Sequence, residues 1–375
     1  MSANTLKSDQ TLRDQAVAWL KERLPRGWSV EATSAASLDL TLPLSDSKIS
    51  LRAPNQAITT VAVEERESVS PRTVLSLLSP RVQTARNMGA HLPLLVVAPW
   101  LSKRTQELLA EQGLSYIDLT GNALLRIENP PFYLQTVGSA RNPAPKERGR
   151  AQLRGAKAAR LIRLLMDVRP PYGAGEIAEA TKLAPGYISR LLDTLYREAL
   201  IERSPRGPVE SVDVPGLLRR WASSYDVLRT NDAATFIARS GVDELLATAK
   251  KKPDIGSKLA ITGSISASRL APVTAPAMLL AYCDSPIELA GELELLEADE
   301  GANVTLLKPF DPVVWERTST ESGLRFAAPS QVAVDCLTGN GRMPAEGEAL
   351  LGWMQANEES WRLDAIAKPS PVAQS

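Results

Sequence analysis

Residues 175–199 read GEIAEATKLAPGYISRLLDTLYREA, a pattern of two helices separated by a short turn. Gly175–Thr181 predicts the first helix and Lys182–Ala184 the turn. Pro185 opens the second helix, because the first helical position needs no backbone N–H. The apolar residues of that helix recur at the spacing of one helical face: Ile188, Leu191, Leu192 and Leu195. The two helices are therefore expected to pack through this face.

The flanking segments complete a recognisable plan. Upstream, Lys157–Val168 carries apolar residues at i, i+3, i+4 and i+7, which predicts an amphipathic helix. Downstream, Leu200–Arg203 and Val209–Asp213 predict two short strands joined by a Ser-Pro-Arg-Gly turn with Arg206 at its tip. Helix, helix–turn–helix and hairpin in this order predict a winged helix-turn-helix.

The outer face of the third helix carries the side chains that DNA recognition needs. The major groove admits one helix, whose exposed face must offer hydrogen-bond donors. We expect Arg190 and Arg197 to reach guanine edges or phosphates, and Tyr187, Ser189 and Thr194 to donate to phosphate oxygens. The expected DNA-binding set also includes basic residues of the first helix, the turn and the hairpin: Arg154, Lys157, Lys182, Arg203 and Arg206. A winged helix used only for protein contacts is the alternative.

The net charge of zero hides an asymmetry along the chain. Residues 1–140 carry a charge of +1, residues 141–225 carry +7 and residues 226–375 carry −8. Eight Lys and Arg between Arg141 and Arg163 face Glu147 alone, which favours a polyanionic partner for the middle segment. A solvated linker and helix face is the alternative. The acidic last segment would repel nucleic acid, and so favours a protein partner or self-association.

Composition excludes several functional classes. The longest apolar run, Leu92–Leu101, contains two prolines and is far shorter than a membrane helix, and the first ten residues are polar, so we expect a cytoplasmic protein without membrane contact. The two cysteines form no C-x-x-C pair, and His91 is the single histidine. The sequence contains neither a G-x-S-x-G elbow nor a phosphate-binding P-loop. We therefore expect no cofactor, no metal and no enzymatic activity.

The first segment, residues 1–140, alternates helix and strand patterns and predicts an α/β domain. The predicted helices are Thr11–Leu24, Ser70–Met88 with an interruption at Pro80, and Ser102–Gln112 with caps at Ser102 and Gly113. The predicted strands are Leu38–Leu42, Ile58–Val63, Leu94–Ala98, Tyr116–Leu119 and Ala123–Ile127. A Pro-, Gly- and charge-rich stretch, Ser139–Gly149, reads as a linker.

This order of elements resembles the restriction-endonuclease-like fold. Active members of that fold carry an Asp on one strand and Glu-x-Lys on the next, and the matching residues are Asp39, Glu64, Glu65 and Arg66. The carboxylates would hold Mg²⁺. Because an arginine at the lysine position cannot give up its proton, we interpret the domain as degenerate. The alternative is a Mg²⁺-dependent nuclease that uses Asp39, Glu64 and Glu65 and is delivered to DNA by the winged helix.

The last segment, residues 226–367, again predicts an α/β domain. Its strands are expected at Leu259–Ser264, Ala277–Tyr282 and Ala302–Leu307, and its helices at Pro286–Leu293, Pro329–Leu337 and Glu346–Trp361. Gly263-Ser264 and a later strand that leads to Asp284 resemble nucleotidyltransferases, which use such a pair with two aspartates. Pro286 occupies the place of the second aspartate, so this domain is also interpreted as degenerate. With a winged helix at 150–225 and a disordered tail at 368–375, the chain is expected to be a multidomain α/β protein.

Three stretches together resemble one family. They are LLVVAPWLS at 94–102 with YIDLTGN at 116–122, the winged helix, and ITGS at 261–264 with ANV at 302–304 and APSQVAVD at 328–335. They look like AbiEi-type antitoxins, the transcriptional regulators of type IV toxin–antitoxin systems. The resemblance spans roughly residues 90–362. It implies a repressor of its own operon and a companion toxin of nucleotidyltransferase type, antagonised without a tight complex. The extended N-terminal domain departs from smaller members, which leaves another defence or mobile-element operon open.

These observations predict a sequence-specific regulator that binds double-stranded DNA at an operator upstream of its own gene. A homodimer is expected, since one winged helix buries modest area and two-fold operators supply the rest. A scaffold whose acidic last domain binds a partner protein is a further alternative.

Overall fold

The structure of the protein is a computed structural model. It describes the following residues: 11–33, 47–87, 93–144, 153–205 and 207–366. The strand expected at Leu38–Leu42 and the tail expected at 368–375 lie outside the described residues. The chain divides into two compact units, residues 1–149 with Tyr196–Ala199, and residues 150–195 with 200–375.

The first unit is built on a seven-stranded sheet whose strands lie side by side in chain order. Its strands are β1 (Ser29–Thr33), β2 (Lys48–Arg52), β3 (Ile58–Glu65), β4 (Leu94–Ala98), β5 (Ser115–Asp118), β6 (Ala123–Ile127) and β7 (Phe132–Thr136). Its helices are α1 (Leu12–Lys21), α2 (Pro71–Thr73), α3 (Ser79–Asn87) and α4 (Lys103–Glu111). Strands β3, β4 and β5 are parallel, and the other pairs are antiparallel. Helices connect the parallel strands, as such crossovers require. The predicted mixed α/β character is confirmed, whereas β1, β2 and β7 were not predicted from the sequence.

Strand β4 lies at the centre of this unit and is buried on both faces. Leu95 and Val97 join the apolar cluster that includes Leu20 of α1. Val96 joins the opposite cluster, which includes Leu109 of α4. Because neighbouring side chains on a strand point to opposite faces, a strand covered on both sides reads as an unbroken apolar run. The segment 94–98 has that pattern.

The helix expected at Ser70–Met88 forms, with a change of helix type before Pro80. The residues Val74–Leu78 between α2 and α3 make a π-helical turn, in which the backbone N–H of Ser79 donates to the carbonyl of Val74. A proline has no N–H and its ring clashes with the carbonyl four residues back, here Ser76. The wider turn ends at Leu78, two residues before Pro80, and the chain remains helical from Ser79 onward.

Asp118 organises the turn between β5 and β6. Its buried carboxylate accepts hydrogen bonds from the backbone N–H groups of Leu101, Thr120 and Asn122 at 2.9–3.0 Å. Gly138 crosses directly over this turn, and a Cβ at Gly138 would lie 2.3 Å from the carbonyl oxygen of Thr120. Only glycine permits that approach.

The second unit begins with helices α5 (Gly155–Asp167), α6 (Ala174–Thr181) and α7 (Pro185–Arg197), the hairpin β8 (Ile201–Arg203) and β9 (Val209–Val212), and α8 (Val214–Ala222). The remaining elements are α9 (Val227–Thr230), β10 (Asp232–Ile237), α10 (Val242–Lys251), α11 (Pro253–Lys258), β11 (Leu259–Thr262), α12 (Gly263–Leu270), β12 (Leu279–Cys283), α13 (Pro286–Glu292), β13 (Leu296–Glu297), β14 (Val304–Lys308), β15 (Ser319–Glu321), β16 (Leu324–Phe326), α14 (Pro329–Leu337), α15 (Met343–Ala356) and α16 (Glu358–Trp361). A second seven-stranded sheet has the order β13-β10-β14-β12-β11-β16-β15.

One face of this sheet is apolar. Ile261 of β11, Ala281 of β12 and Leu306 of β14 join a cluster with Leu245 of α10 and Leu289 of α13. The neighbour of Ala281 along the strand, Tyr282, is fully buried and points to the opposite face. A polar network occupies that opposite side.

The elements expected in this region form, with two corrections. The helix expected at Glu346–Trp361 begins earlier, at Met343, and is divided at Asn357 into α15 and α16. Strands and helices occur where the patterns at 277–282, 286–293, 302–307 and 329–337 predict them. The strand expected at Leu259–Ser264 ends at Thr262, and Gly263 begins α12 instead of a turn.

Candidate nucleic-acid interface

Helices α6 and α7 form the predicted helix–turn–helix. Helix α6 ends at Lys182, whose backbone is left-handed with a φ of 56°. That conformation reverses the chain within three residues, and α7 begins at Pro185. Ile188, Leu191 and Leu195 of α7 are all buried, so the apolar face packs inward as predicted.

The hairpin is joined to the helical core. Tyr172, before α6, exchanges two backbone hydrogen bonds with Val209 of β9, at 3.0 and 3.3 Å. Its buried hydroxyl donates to the carbonyl of Leu165 on α5 at 3.1 Å. The segment at Tyr172 therefore pairs with the hairpin beside α5, which confirms the winged helix-turn-helix plan.

The outward face of α7 offers the expected donors. Ser189, Arg190 and Arg197 are exposed along it. Burial raises the pKa of Tyr187, although the charge of nearby Arg190 acts in the opposite direction. The Tyr187 hydroxyl therefore keeps its proton at neutral pH and can donate. The basic residues before this helix are also exposed: Arg154, Lys157 and Lys182.

Two residues of the expected set have a different role in the structure. Thr194 is 7% exposed, and its hydroxyl donates to the carbonyl of Arg190 at 2.9 Å, so it is not placed to donate to a phosphate. The side chain of Arg203 is only 9% exposed and lies 3.8 Å from Asp193 of α7. Arg203 thus joins the hairpin to α7 instead of extending over a DNA backbone. Arg206 lies outside the described residues.

Two arginines of the basic run point into the protein. Arg160 forms a bidentate ion pair with Asp311 at 2.7–3.1 Å. Arg163 is fully buried and donates to Asp167 and Gln331, each at 3.0 Å, and to the carbonyl of Glu316. These guanidiniums attach α5 to the C-terminal region. The expectation that the whole run forms a DNA-facing patch is wrong for them, because sequence charge alone does not reveal buried partners.

A buried hydrogen-bond network continues from Gln331 to a carboxylate that the sequence reasoning missed. Gln331 donates to Asp335 at 2.9 Å, and the hydroxyls of Tyr225, Tyr282 and Thr262 donate to it at 2.7–2.9 Å. Burial raises the pKa of Asp335 to about 6, although these hydrogen bonds favour the ionised form. Gln331 and Asp335, spaced i, i+4 in the mostly apolar helix 329–337, are the sequence signal for it.

The carboxylates of the nuclease alternative do not form a shared site. Glu64 and Glu65 are consecutive on β3 and so point to opposite faces of the sheet. Glu64 forms ion pairs with Arg66 at 2.6 Å and Arg81 at 3.2 Å. Glu65 accepts a hydrogen bond from the backbone N–H of Arg13 at 2.9 Å. The Glu64 carboxylate is thus paired with two arginines, which occupy the positions that a metal ion would need.

The other carboxylates considered as metal ligands are Asp39 and Asp284. Asp39 lies outside the described residues. Ser264 of the Gly-Ser pair donates to buried Glu346 at 2.5 Å, while Asp284 is exposed. In the part of the chain that the structure describes, no group of three or more His, Cys, Asp or Glu could hold a metal ion. The endonuclease-like and nucleotidyltransferase-like fold assignments are not confirmed.

Within the described ranges, no helix is long and apolar enough to span a membrane. No curated protein and no solved structure matches the chain significantly.

Two family models match adjoining parts of the second unit. The IclR helix-turn-helix domain matches residues 156–205, which contain α5 to β8. The family described as "Transcriptional regulator, AbiEi antitoxin, Type IV TA system" matches residues 212–349. The winged helix and the AbiEi resemblance expected from the sequence are both confirmed by these matches. The two matches support a DNA-binding transcriptional regulator, in which residues 156–205 are similar to the IclR helix-turn-helix domain and residues 212–349 to AbiEi antitoxins.

Proposed function

We propose that the protein binds an operator upstream of its own gene and represses its own operon, as the antitoxin of a type IV system. Its companion toxin would be encoded in the same operon and antagonised without a tight complex. The observation that carries this proposal is the exposed, donor-rich face of α7 in a helix–turn–helix whose apolar face is fully packed. A regulator of this kind acts in the cytoplasm, where its operator is.

In the proposed complex, α7 lies in the major groove. Arg190 sits in the middle of its exposed face and supplies a guanidinium that can bind a guanine edge in a bidentate manner. Tyr187, Ser189 and Arg197 donate to phosphates on either side. Arg154 and Lys157, at the start of α5, add contacts to the flanking backbone. Thr194 is left out because its hydroxyl donates inside α7, and Arg203 because its side chain is only 9% exposed and lies against Asp193.

The C-terminal region fixes the position of the winged helix. Arg160 and Arg163 attach α5 to Asp311, Gln331 and the backbone around residue 316. A buried, charge-assisted anchor of this kind is geometrically specific. The proposed role of residues 226–366 is thus to fix the orientation of the winged helix. A homodimer would place two winged helices on a two-fold operator.

A gel-shift titration on the DNA upstream of the gene tests the proposal. We expect a discrete complex that survives scrambled competitor DNA, weakens as salt rises and leaves the DNA intact with and without Mg²⁺. Complexes that disappear with scrambled competitor would refute operator recognition, and cut DNA would refute a purely regulatory role.

The substitution Arg190→Ala is expected to weaken operator binding by about 1–3 kcal/mol and to relax specificity at one base pair. Arg229→Ala is the matched control, because the Arg229 side chain is 89% exposed and lies outside the winged helix. Equal affinities of the two variants at fixed salt would remove Arg190 from the interface.

A further inference from the structure

Strand β7 is an edge of the N-terminal sheet and has a partner on one side only. It pairs antiparallel with β6 over its whole length, from Phe132 to Thr136. No strand among the described residues pairs with its outer side. An open edge presents a row of backbone donors and acceptors, so natural proteins protect such edges with charges, prolines, bulges or a covering segment.

The outer strands of the two sheets differ in this protection. Glu31 lies on β1, Glu297 on β13 and Glu321 on β15, so each of these edges carries a charge. Strand β7 reads FYLQT, with no charge, no proline and no break in its register with β6. Tyr133 is 60% exposed and the following Val137 is 91% exposed. Within the part of the chain that the structure describes, β7 is therefore an edge without charge, proline or bulge, and a large apolar side chain is exposed on it and directly after it.

The chemistry of the strand matches its own copy. Pairing two antiparallel copies about Gln135 puts Tyr133 of each opposite Val137 of the other. Aromatic and β-branched residues form favourable cross-strand pairs. This arrangement contains two Tyr133–Val137 pairs, so the exposed side chains of both copies are covered. Gln135 would face Gln135 of the second copy. Its Oε1 already accepts a hydrogen bond from the Tyr133 hydroxyl at 2.6 Å, and its NH₂ group and the second lone pair of Oε1 remain for the facing amide. Neither β7 strand brings a charge, so no like charges meet along the paired strands. A nearby cation is Arg126 of β6, which lies 5.8 Å from the centroid of the Tyr133 ring.

The pairing also leaves the existing packing of β7 intact. The ring of Phe132 lies against Trp28, with ring centroids 4.7 Å apart, and falls outside the paired residues 133–137. Leu134 packs on the cluster that contains Leu125 and remains half-buried where the sheet ends. A further strand would extend that apolar layer.

We propose that β7 is a self-association surface, at which a second copy of this chain adds its own β7 in antiparallel register about Gln135. The inference rests on the proposed homodimer and names the surface that forms it. A five-residue edge contact is smaller than the roughly 1,200 Å² of a stable interface. The dimer is therefore weak in the absence of DNA and depends on protein concentration.

Sedimentation of the full chain without DNA tests this surface. We expect the dimer fraction to rise between about 1 and 100 µM, as a contact of this size implies, and Gln135→Lys to remove it, because two lysines would face each other at the axis. Gln135 is exposed, so the variant should fold. Thr320→Lys adds the same charge to exposed strand β15 and should leave the dimer unchanged. A monomer at all concentrations, or a dimer that survives Gln135→Lys, would overturn the proposal.

Cross-linking tests the register separately. The two natural cysteines, Cys283 and Cys336, are buried. Under mild oxidation Gln135→Cys should give a disulfide-linked dimer, since facing residues of paired strands lie within disulfide reach. Ser29→Cys on the exposed start of β1 should not. Equal cross-linking of both variants would contradict the register. A wild-type chain that stays monomeric at all concentrations but still gives the gel shift would refute this inference and leave operator binding standing.

Discussion

Replacing Asp335 with asparagine should change how the free energy of unfolding depends on pH. The Asp335 carboxyl is fully buried on the face of the sheet opposite the apolar cluster, and it accepts hydrogen bonds from Tyr225, Tyr282, Thr262 and Gln331. Its direct partners are neutral. Arg163 contacts it only through Gln331. Burial therefore dominates and raises the pKa from 3.8 to about 6.

The sign follows from the direction of this change. The folded protein holds the proton on Asp335 more tightly than the unfolded chain does. The group's contribution to stability is fully present below pH about 4 and is lost as the pH rises through about 6. A rise in pKa of this size corresponds to on the order of 3 kcal/mol. Asp335→Asn removes the titration, so the variant should lack this loss between acid and neutral pH.

Urea unfolding of both proteins across this pH interval measures the effect. The difference between wild type and Asp335→Asn should shift by on the order of 3 kcal/mol in favour of the variant as the pH rises, whatever its value at the acid end. A pH-independent difference between the two proteins would refute the argument that an uncompensated buried charge resides on Asp335.

Asp167 provides a control of opposite sign. Burial opposes its ionisation, but Arg163 and Arg317 outweigh burial and hold its pKa below the ordinary value. Its contribution is present above the unfolded pKa and is lost as the pH falls through the folded pKa. Asp167→Asn should therefore reduce the loss of unfolding free energy at acid pH, and should not affect the loss between acid and neutral pH that is due to Asp335.

Three further predictions follow from side chains already described. Thr194→Val should leave operator affinity within about twofold, because the hydroxyl is used inside α7, and a loss as large as that of Arg190→Ala would contradict this. Arg163→Met should cost about 3–5 kcal/mol in urea unfolding, since it leaves buried Asp167 with one cation fewer; a cost below about 1 kcal/mol would refute the anchor. Gly138→Ala should destabilise the N-terminal unit by more than about 1 kcal/mol, because its Cβ meets the carbonyl of Thr120; unchanged thermal unfolding would argue against that close approach.

Local sequence patterns predicted the local structure well and the long-range contacts poorly. The three-residue turn before Pro185 and the apolar face of α7 depend on neighbours within a few positions, and periodicity finds them. Arg154 and Arg163 look equivalent in the same basic run, yet one is exposed and the other is fully buried. The difference is made by Gln331, 168 positions away in the chain. Spacing along one helix contains no information about such a partner.

The nuclease alternative, which the structure does not support, shows a related limit of sequence patterns. Consecutive acidic residues such as Glu64 and Glu65 look like a cluster in one dimension, but a strand sends them to opposite sides. The arginine in the expected lysine position was the more informative residue. In the structure, Arg66 pairs with Glu64 and neutralises it.

The buried arginine of α5 bears on how this protein can be cut and recombined. One family match ends at residue 205 and the other begins at residue 212. This suggests a boundary at which the DNA-binding domain could be exchanged for another. A fragment that ends there would carry Arg163 without Gln331 or the carbonyls of Val313 and Glu316. The isolated DNA-binding fragment would expose the Arg163 guanidinium and the apolar face of α5 that surrounds it. Chimeric regulators built from this chain should therefore transfer residues 153–366 as one piece, because modules that are separable in sequence share a single interior.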